Sequence, residues 1–492
     1  MMNGGELSVR AAALEAPDRL ALIAGDRAYT FAELAASATG VAAWLRARLA
    51  EQPGPASGPV AVVARREPEA VVTLLAAFEM GVPVGLIHSR ATERERQLLS
   101  ELLGPTLEID PAAKAAVANS GAAIRATDSA GSAVEDSEPL QGGGPLETSP
   151  IDPESILAVV PTSGTSGKPK GVLLSRRAVL ASARASAQNL GWDAEDRWLL
   201  TLPLAHVGGL SILTRAVIAR RCTVLAPPGR FEAVWTIGAI EEHRVTLASL
   251  VPPMLEAMLE ADPAWSPPAH LRALLLGGGP ASQDLLSRAA DRGVPVLTTY
   301  GLTESCSQVT TQRYGTRNRG ELGSGAPLDG VELRIIDGEI QIRGPMLFSG
   351  YAERGRVWAG VDAEGWLATG DEGELDAAGQ LHVRGRLDRL IVTGGENVDP
   401  LEIENALQAL TSIRGAVVFG VEDAKWGVVV GAALVAEGDP EPGALREEVS
   451  AILAPYKRPR LVRFLADLPT TPTGKVDRTA AEAAAREDLQ PI

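Results

Sequence analysis

The stretch LAVVPTSGTSGKPKG, residues 157–171, sets an apolar strand-like run directly before a segment of Gly, Ser, Thr, Pro and two lysines. A chain that leaves a buried strand into small residues offering N–H groups, hydroxyls and cations has the composition of a loop that wraps phosphates. A polar linker would not need those residue types clustered at a strand end. The loop is not a Walker loop, because Thr162 and Pro169 stand where that loop requires Gly and then Ser or Thr.

The same rhythm recurs on both sides of this stretch. Apolar runs VAVVA (60–64), VPVGLI (82–87), CTVLA (222–226), LASLV (247–251), LRALLLGGG (271–279) and VPVLTTYG (294–301) are separated by helical patterns. Alternation of this kind predicts an α/β body of mostly parallel sheets flanked by helices. The 120–150 segment, rich in Gly, Ala, Ser, Pro and acids, reads as a surface connection. From about residue 320 the pattern changes to short alternating strands with Asp-Gly turns, a small β subdomain to about 387. Residues 388–492 read as a small mobile α+β domain, with helices near 400–410 and 443–453 and strands near 416–419 and 428–435. The expected division is therefore 1–387 and 388–492.

At 492 residues, with 45% hydrophobic and 22% charged residues, the chain exceeds one ordinary core but has normal globular usage. A net charge of −16 without a long Lys/Arg run excludes a general nucleic-acid or anionic-membrane footprint, so any anionic ligand must be held by local cations, N–H groups and a divalent metal. Two cysteines, Cys222 and Cys306, in no metal-like spacing suggest neither disulfides nor zinc. No apolar run reaches membrane-spanning length, and the N-terminal residues lack signal-peptide regions, which leads to the expectation of a cytoplasmic protein without integral membrane association. The sequence leaves a homo-oligomer open.

With TSGTSGKPKG come four further motifs in order: YGLTES (300–305), ATGDEGELD (368–376), GRLDRLIVTGGENVDPLEIE (385–404) and PTTPTGKVDR (469–478). Together they resemble the adenylate-forming superfamily of acyl-CoA synthetases, luciferases and peptide-synthetase adenylation domains, across essentially the whole chain. The resemblance implies an ATP-dependent, AMP- and pyrophosphate-forming ligation of a carboxylic acid to coenzyme A through an acyl-adenylate. It implies that Thr162, Ser163, Gly164, Thr165 and Lys170 hold the β and γ phosphates, that Lys475 neutralises charge between carboxylate and α-phosphate, that Thr303 donates to the α-phosphate, and that Glu304 binds magnesium. Asp371 resembles the acceptor of the ribose hydroxyls and Arg386 a second ribose contact. Gly278 and Gly279 would let backbone approach the adenine, with Tyr300 stacked on it beside Gly301. Asp388 resembles a hinge about which the C-terminal domain rotates between the two half-reactions. Residues 393–397, with Gly394 and Gly395, would then line a pantetheine tunnel that His206 gates; a satisfied loop histidine is the alternative.

PLAHVGGLSIL (203–213), LLLGGGPAS and ESCSQVTT resemble the o-succinylbenzoate-CoA ligases of menaquinone biosynthesis within that superfamily. That acid carries a ring carboxylate beyond the reacting one, so its pocket needs donors, for which Ser307, Gln308 and Arg215 stand as candidates. A surface helix position is the alternative for Arg215. Ala205, where this group often has Phe, departs from the pattern. Other readings are a fatty- or aryl-acid CoA ligase and an enzyme that loads a separate carrier protein; with no carrier serine motif after Ile492, a fused carrier is not expected.

Overall fold

The strand Ile156–Ser163 runs parallel to Val84–Ile87 on one side and turns back antiparallel onto Pro169–Ser175 on the other. The computed structural model describes residues 7–52, 58–111, 125–127, 133–134, 151–163, 169–279, 281, 283–315, 323–353, 356–386, 391–438, 442–469, 476 and 478–492. Among these, Ile156–Ser163 belongs to a nine-stranded sheet whose interior, Val60–Val63, Val84–Ile87, Leu107–Asp110 and Ile156–Ser163, is parallel. A second nine-stranded sheet is parallel from Leu20–Ala24 through Cys222–Leu225, Arg197–Leu200, Leu247–Leu250 and Ala273–Leu276 to Val296–Leu302. Val60–Val63, Leu247–Leu250 and Ala273–Leu276 are buried at every position. Strands covered on both faces need continuous apolar residues, which is why these runs do not alternate. One apolar cluster, including Phe31, Phe78 and Trp198, joins the two sheets, and a second lies under the strands from Leu247 to Val296.

Glu332–Ile336, Glu339–Arg343, Leu367–Leu375 and Leu381–Arg386 form a four-stranded antiparallel sheet. Asp337 and Gly338, both at positive φ, make the tight hairpin that the Asp-Gly pair announces. Gly350–Glu353 and Arg356–Trp358, from the same part of the chain, instead extend the first large sheet, where Tyr351 packs edge-on to Phe348. The C-terminal part has a four-stranded sheet of its own, Ile413–Asp423, Gly427–Ala436, Leu461–Phe464 and Gln490–Pro491, with helices Pro400–Gln408, Pro442–Ile452 and Arg478–Arg486 and its own apolar cluster around Ile403, Val418 and Leu434. Within 120–150, two short strands, Arg125–Thr127 and Ala133–Val134, add to a sheet edge, where the sequence reading has only a connection; backbone pairing does not require apolar side chains. Both cysteines are free and buried, and among the described residues no helix is long and apolar enough to cross a membrane.

Candidate active site

The parallel strands Leu247–Leu250, Ala273–Leu276 and Val296–Leu302 end at a cavity of about 940 Å³ that is also lined by Thr162, Lys170 and the 393–397 loop. Open α/β sheets place ligands outside the carboxyl ends of their strands for the same reason, since the helices cover the faces and leave the ends open. At Gly301 a Cβ would fall 1.7 Å from the Ser307 carbonyl oxygen, so the backbone turn back into Ser307–Thr311 admits only glycine. The turn itself holds Cys306 at φ 54° and Ser307 at φ 104°, conformations that cost a non-glycine residue energy and that cluster at functional sites.

Along this wall Lys170 and Glu304 are linked through an aromatic ring. Lys170 Nζ lies 3.7 Å from the Tyr351 ring centroid, and the Tyr351 hydroxyl donates to Glu304 Oε1 at 2.8 Å. Glu304, with the hydroxyls of Thr162 and Thr303 on the same wall, is an oxygen-only donor set of the kind a hard divalent cation takes while keeping waters and phosphate oxygens as its other ligands. These residues therefore fit magnesium. Tyr351 escapes sequence reading, because an aromatic in an apolar run reads as core.

Tyr300 donates its hydroxyl to Asp371 Oδ2 at 2.6 Å, and Asp371 stands opposite Arg386 in the antiparallel register. The three ribose and adenine candidates are thus brought together, although Tyr300, Asp371 and Gly279 lie off the wall of the main cavity. Gly164, Thr165, Asp388 and Lys475, and the side chains of Ser163 and Arg386, lie outside the described residues.

At the other end of the cavity, Glu396 from the 393–397 loop meets residues of the large N-terminal part. His206 Nε2 is 2.7 Å from Glu396 Oε2, Arg90 Nη2 donates to Oε1 at 2.7 Å, and His88 Nε2 is 3.7 Å from Oε1. The His206 contact is an ion pair without the alignment of a hydrogen bond, and its Nε2 is buried although the side chain as a whole keeps 40% exposure. Gly395 makes the loop's approach possible: its φ is 83° and a Cβ would sit 2.6 Å from Val251 Cγ1. By spacing, His88, His206 and Glu396 could hold a metal ion. The Arg90 backbone N–H, however, donates to His88 Nδ1 at 3.1 Å. That bond puts the proton of a neutral His88 on Nε2, so the nitrogen facing Glu396 at 3.7 Å carries a hydrogen and has no lone pair for a metal.

Burial, reinforced by His206, lowers the His88 pKa to about 3 and keeps it neutral. Burial opposes charge on Glu396 and His206 too, but their mutual attraction outweighs it, holding Glu396 at about 2 and raising His206. The histidine's contribution is therefore complete below its unfolded value near 6.5 and is lost as pH rises through its raised value. The carboxylate's contribution is present above about 4.5 and is lost as pH falls toward about 2. Energy transfer between dyes on the two parts of the chain is expected to weaken as pH rises past neutrality in the native protein and to stay flat in Glu396→Gln.

Arg215, on helix Val207–Ala219, is 3% exposed and lines the cavity with Ser307 and Gln308. This rules out the surface alternative. Its Nη2 donates to Ser182 Oγ at 3.2 Å, its Nε has no partner, and among the described residues no carboxylate is within ion-pair distance. Burial pulls its pKa down to about 10, and the group remains a cation at neutral pH. The Gln308 amide nitrogen is committed to Thr311 Oγ1 at 2.8 Å, so its unpartnered group is the acceptor Oε1 rather than the donor that the sequence reading assigned it.

A family model described as AMP-binding enzyme matches residues 9–352, and one described as AMP-binding enzyme C-terminal domain matches 402–475. The 2-succinylbenzoate--CoA ligase of Bacillus pumilus is 34% identical over 480 residues, 94% of either chain. Among solved structures, a double mutant of o-succinylbenzoate CoA synthetase from Bacillus subtilis, bound with its product analogue OSB-NCoA, matches with a TM-score of 0.83 at 31% identity, covering 98% of this chain and 99% of that one. The same Bacillus subtilis enzyme in complex with the acyl-adenylate intermediate OSB-AMP matches with a TM-score of 0.67 at 32% identity, covering 98% of each chain.

Proposed function

Since the chain belongs to the AMP-binding enzyme family, we propose that it joins o-succinylbenzoate to coenzyme A in two steps at the cavity described above. In the first, a carboxylate oxygen of the succinyl arm attacks the α-phosphorus of ATP, the bond to the β-phosphate oxygen breaks and pyrophosphate leaves. In the second, the sulfur of coenzyme A attacks the acyl carbonyl, the bond to AMP breaks and the thiol proton is released.

Two anions meet in the first step, so charge must be supplied at the phosphorus and at the leaving group. Thr162, Ser163, Gly164, Thr165 and Lys170 are assigned to the β and γ phosphates, Thr303 to the α-phosphate, and Lys475 to the charge between acid and α-phosphate. Magnesium on Glu304 would add positive charge at the phosphate oxygens. The Tyr351 hydroxyl fixes that carboxylate and its ring seats the Lys170 ammonium. Asp371, held by Tyr300, is assigned to the ribose with Arg386, and Gly278 and Gly279 to the adenine.

The observation that carries the choice of acid is Arg215. A buried guanidinium without a carboxylate partner is costly, and an anionic ligand group removes that cost. The ring carboxylate of o-succinylbenzoate is such a group, with Ser307 beside it on the cavity wall. Coenzyme A as acceptor is supported by Arg230, Lys425 and Arg460 on the same cavity in a chain whose net charge is −16, since a nucleotide bearing three phosphates needs such local positive charge.

The domains 1–387 and 388–492 are assigned to a rotation about Asp388 that serves both steps. The higher TM-score with the product-analogue complex, and the Glu396 contact with His206, support reading the present arrangement as the thioester-forming one. The test is product mass: ATP, magnesium, o-succinylbenzoate and coenzyme A are expected to yield o-succinylbenzoyl-CoA and AMP. Adenylate that accumulates without thioester formation, until a carrier protein is added, would overturn the acceptor.

A further inference from the structure

The segment from His88 to Glu95 touches the C-terminal part around Glu396, through His88 and Arg90, and at a separate point through Glu95. Glu95 is the third residue of helix Glu93–Leu103, and its two oxygens have different duties. Oε2 accepts from the Thr92 backbone N–H at 2.8 Å and from its hydroxyl at 3.0 Å, closing a capping box. Oε1 faces the C-terminal part, 3.2 Å from Lys457 Nζ and accepting from the Ala454 N–H at 3.4 Å. Lys457 also lies 2.7 Å from Glu402, which belongs to its own part of the chain. Both ends are shielded, with side-chain exposures of 14% for Lys457 and 10% for Glu95.

We infer that Glu95 and Lys457 form an orientation-specific ion pair that positions the C-terminal domain for thioester formation; the inference rests on the two-step reading above. The geometry suits a reversible contact. When the domain turns away, Lys457 keeps Glu402 and Glu95 keeps its helix cap, so neither charge is left buried and alone. When the domain returns, one carboxylate that is already fixed by its helix receives both an ammonium and a backbone N–H, at little further cost in side-chain order. The arrangement also places Tyr456, next to Lys457, over His88 at 5.7 Å between ring centroids, which ties the pair to the wall around Glu396.

Glu95→Gln is the clean variant, because glutamine serves in a capping box and only the charge is lost. The two half-reactions are measured apart: pyrophosphate release without coenzyme A, and single-turnover thioester formation from preformed acyl-adenylate at saturating coenzyme A. Glu95→Gln and Lys457→Met are each expected to slow the thioester step about tenfold, the scale of one interdomain coupling, while adenylation stays within about twofold and Lys457→Arg restores the rate. Equal losses in both steps, or no loss in either, would overturn the inference. Failure of the native protein to adenylate o-succinylbenzoate would instead overturn the substrate reading, and the ratio of half-reactions is then read with the acid that is adenylated.

Discussion

Arg215→Ala is expected to lower kcat/KM for o-succinylbenzoate by roughly a hundredfold or more, and to leave 4-oxo-4-phenylbutanoate, the same acid without its ring carboxylate, unchanged or improved. Removing one partner of a buried ion pair typically costs about 3–5 kcal/mol, because the other charge stays desolvated and unpaired; 3 kcal/mol is already more than a hundredfold in rate. Arg215 sits in that situation: it is 3% exposed, and its described hydrogen-bond partner is a neutral hydroxyl, that of Ser182. Among the described residues no carboxylate acts on this guanidinium. The alanine variant should therefore melt no lower than the native protein, and a melting curve recorded beside the kinetics separates lost recognition from lost folding. Equal losses for both acids would place Arg215 in the scaffold.

Lys475→Ala is expected to reduce adenylation by about 10²–10³-fold, the usual consequence of removing one group that faces developing charge in a transition state. Thioester formation from acyl-adenylate supplied to the enzyme should fall far less, because no two anions meet in that step. Pyrophosphate release and single-turnover transfer measure the two effects, with circular dichroism to confirm that the variant folds. Adenylation at the native rate would remove Lys475 from the chemistry.

The strands around the site were legible because parallel strands buried on both faces demand unbroken apolar runs, as in LASLV and LRALLLGGG. The loops were legible for a different reason: phosphates and tight backbone approach restrict residue types, so TSGTSGKPKG and the Gly394–Gly395 pair stand out even in isolation. What the sequence hides is pairing over distance. Arg90 and Glu396 are 306 positions apart, and nothing local to either marks the other. Glu95 and Lys457 likewise carry no local sign of each other, and only the fold sets them 3.2 Å apart. Gln308 shows a subtler limit, since its residue type announces both a donor and an acceptor and only the neighbouring Thr311 decides which of them is taken.

The central claim is that a buried cation in an acyl-adenylating cavity selects an acid by its second carboxylate. The most direct measurement compares, in the native protein, magnesium-dependent pyrophosphate release from ATP with o-succinylbenzoate and with 4-oxo-4-phenylbutanoate. A kcat/KM at least a hundredfold higher for o-succinylbenzoate is the expected result, from about 3 kcal/mol of differential binding. Equal or faster turnover of the acid that lacks the ring carboxylate would contradict it.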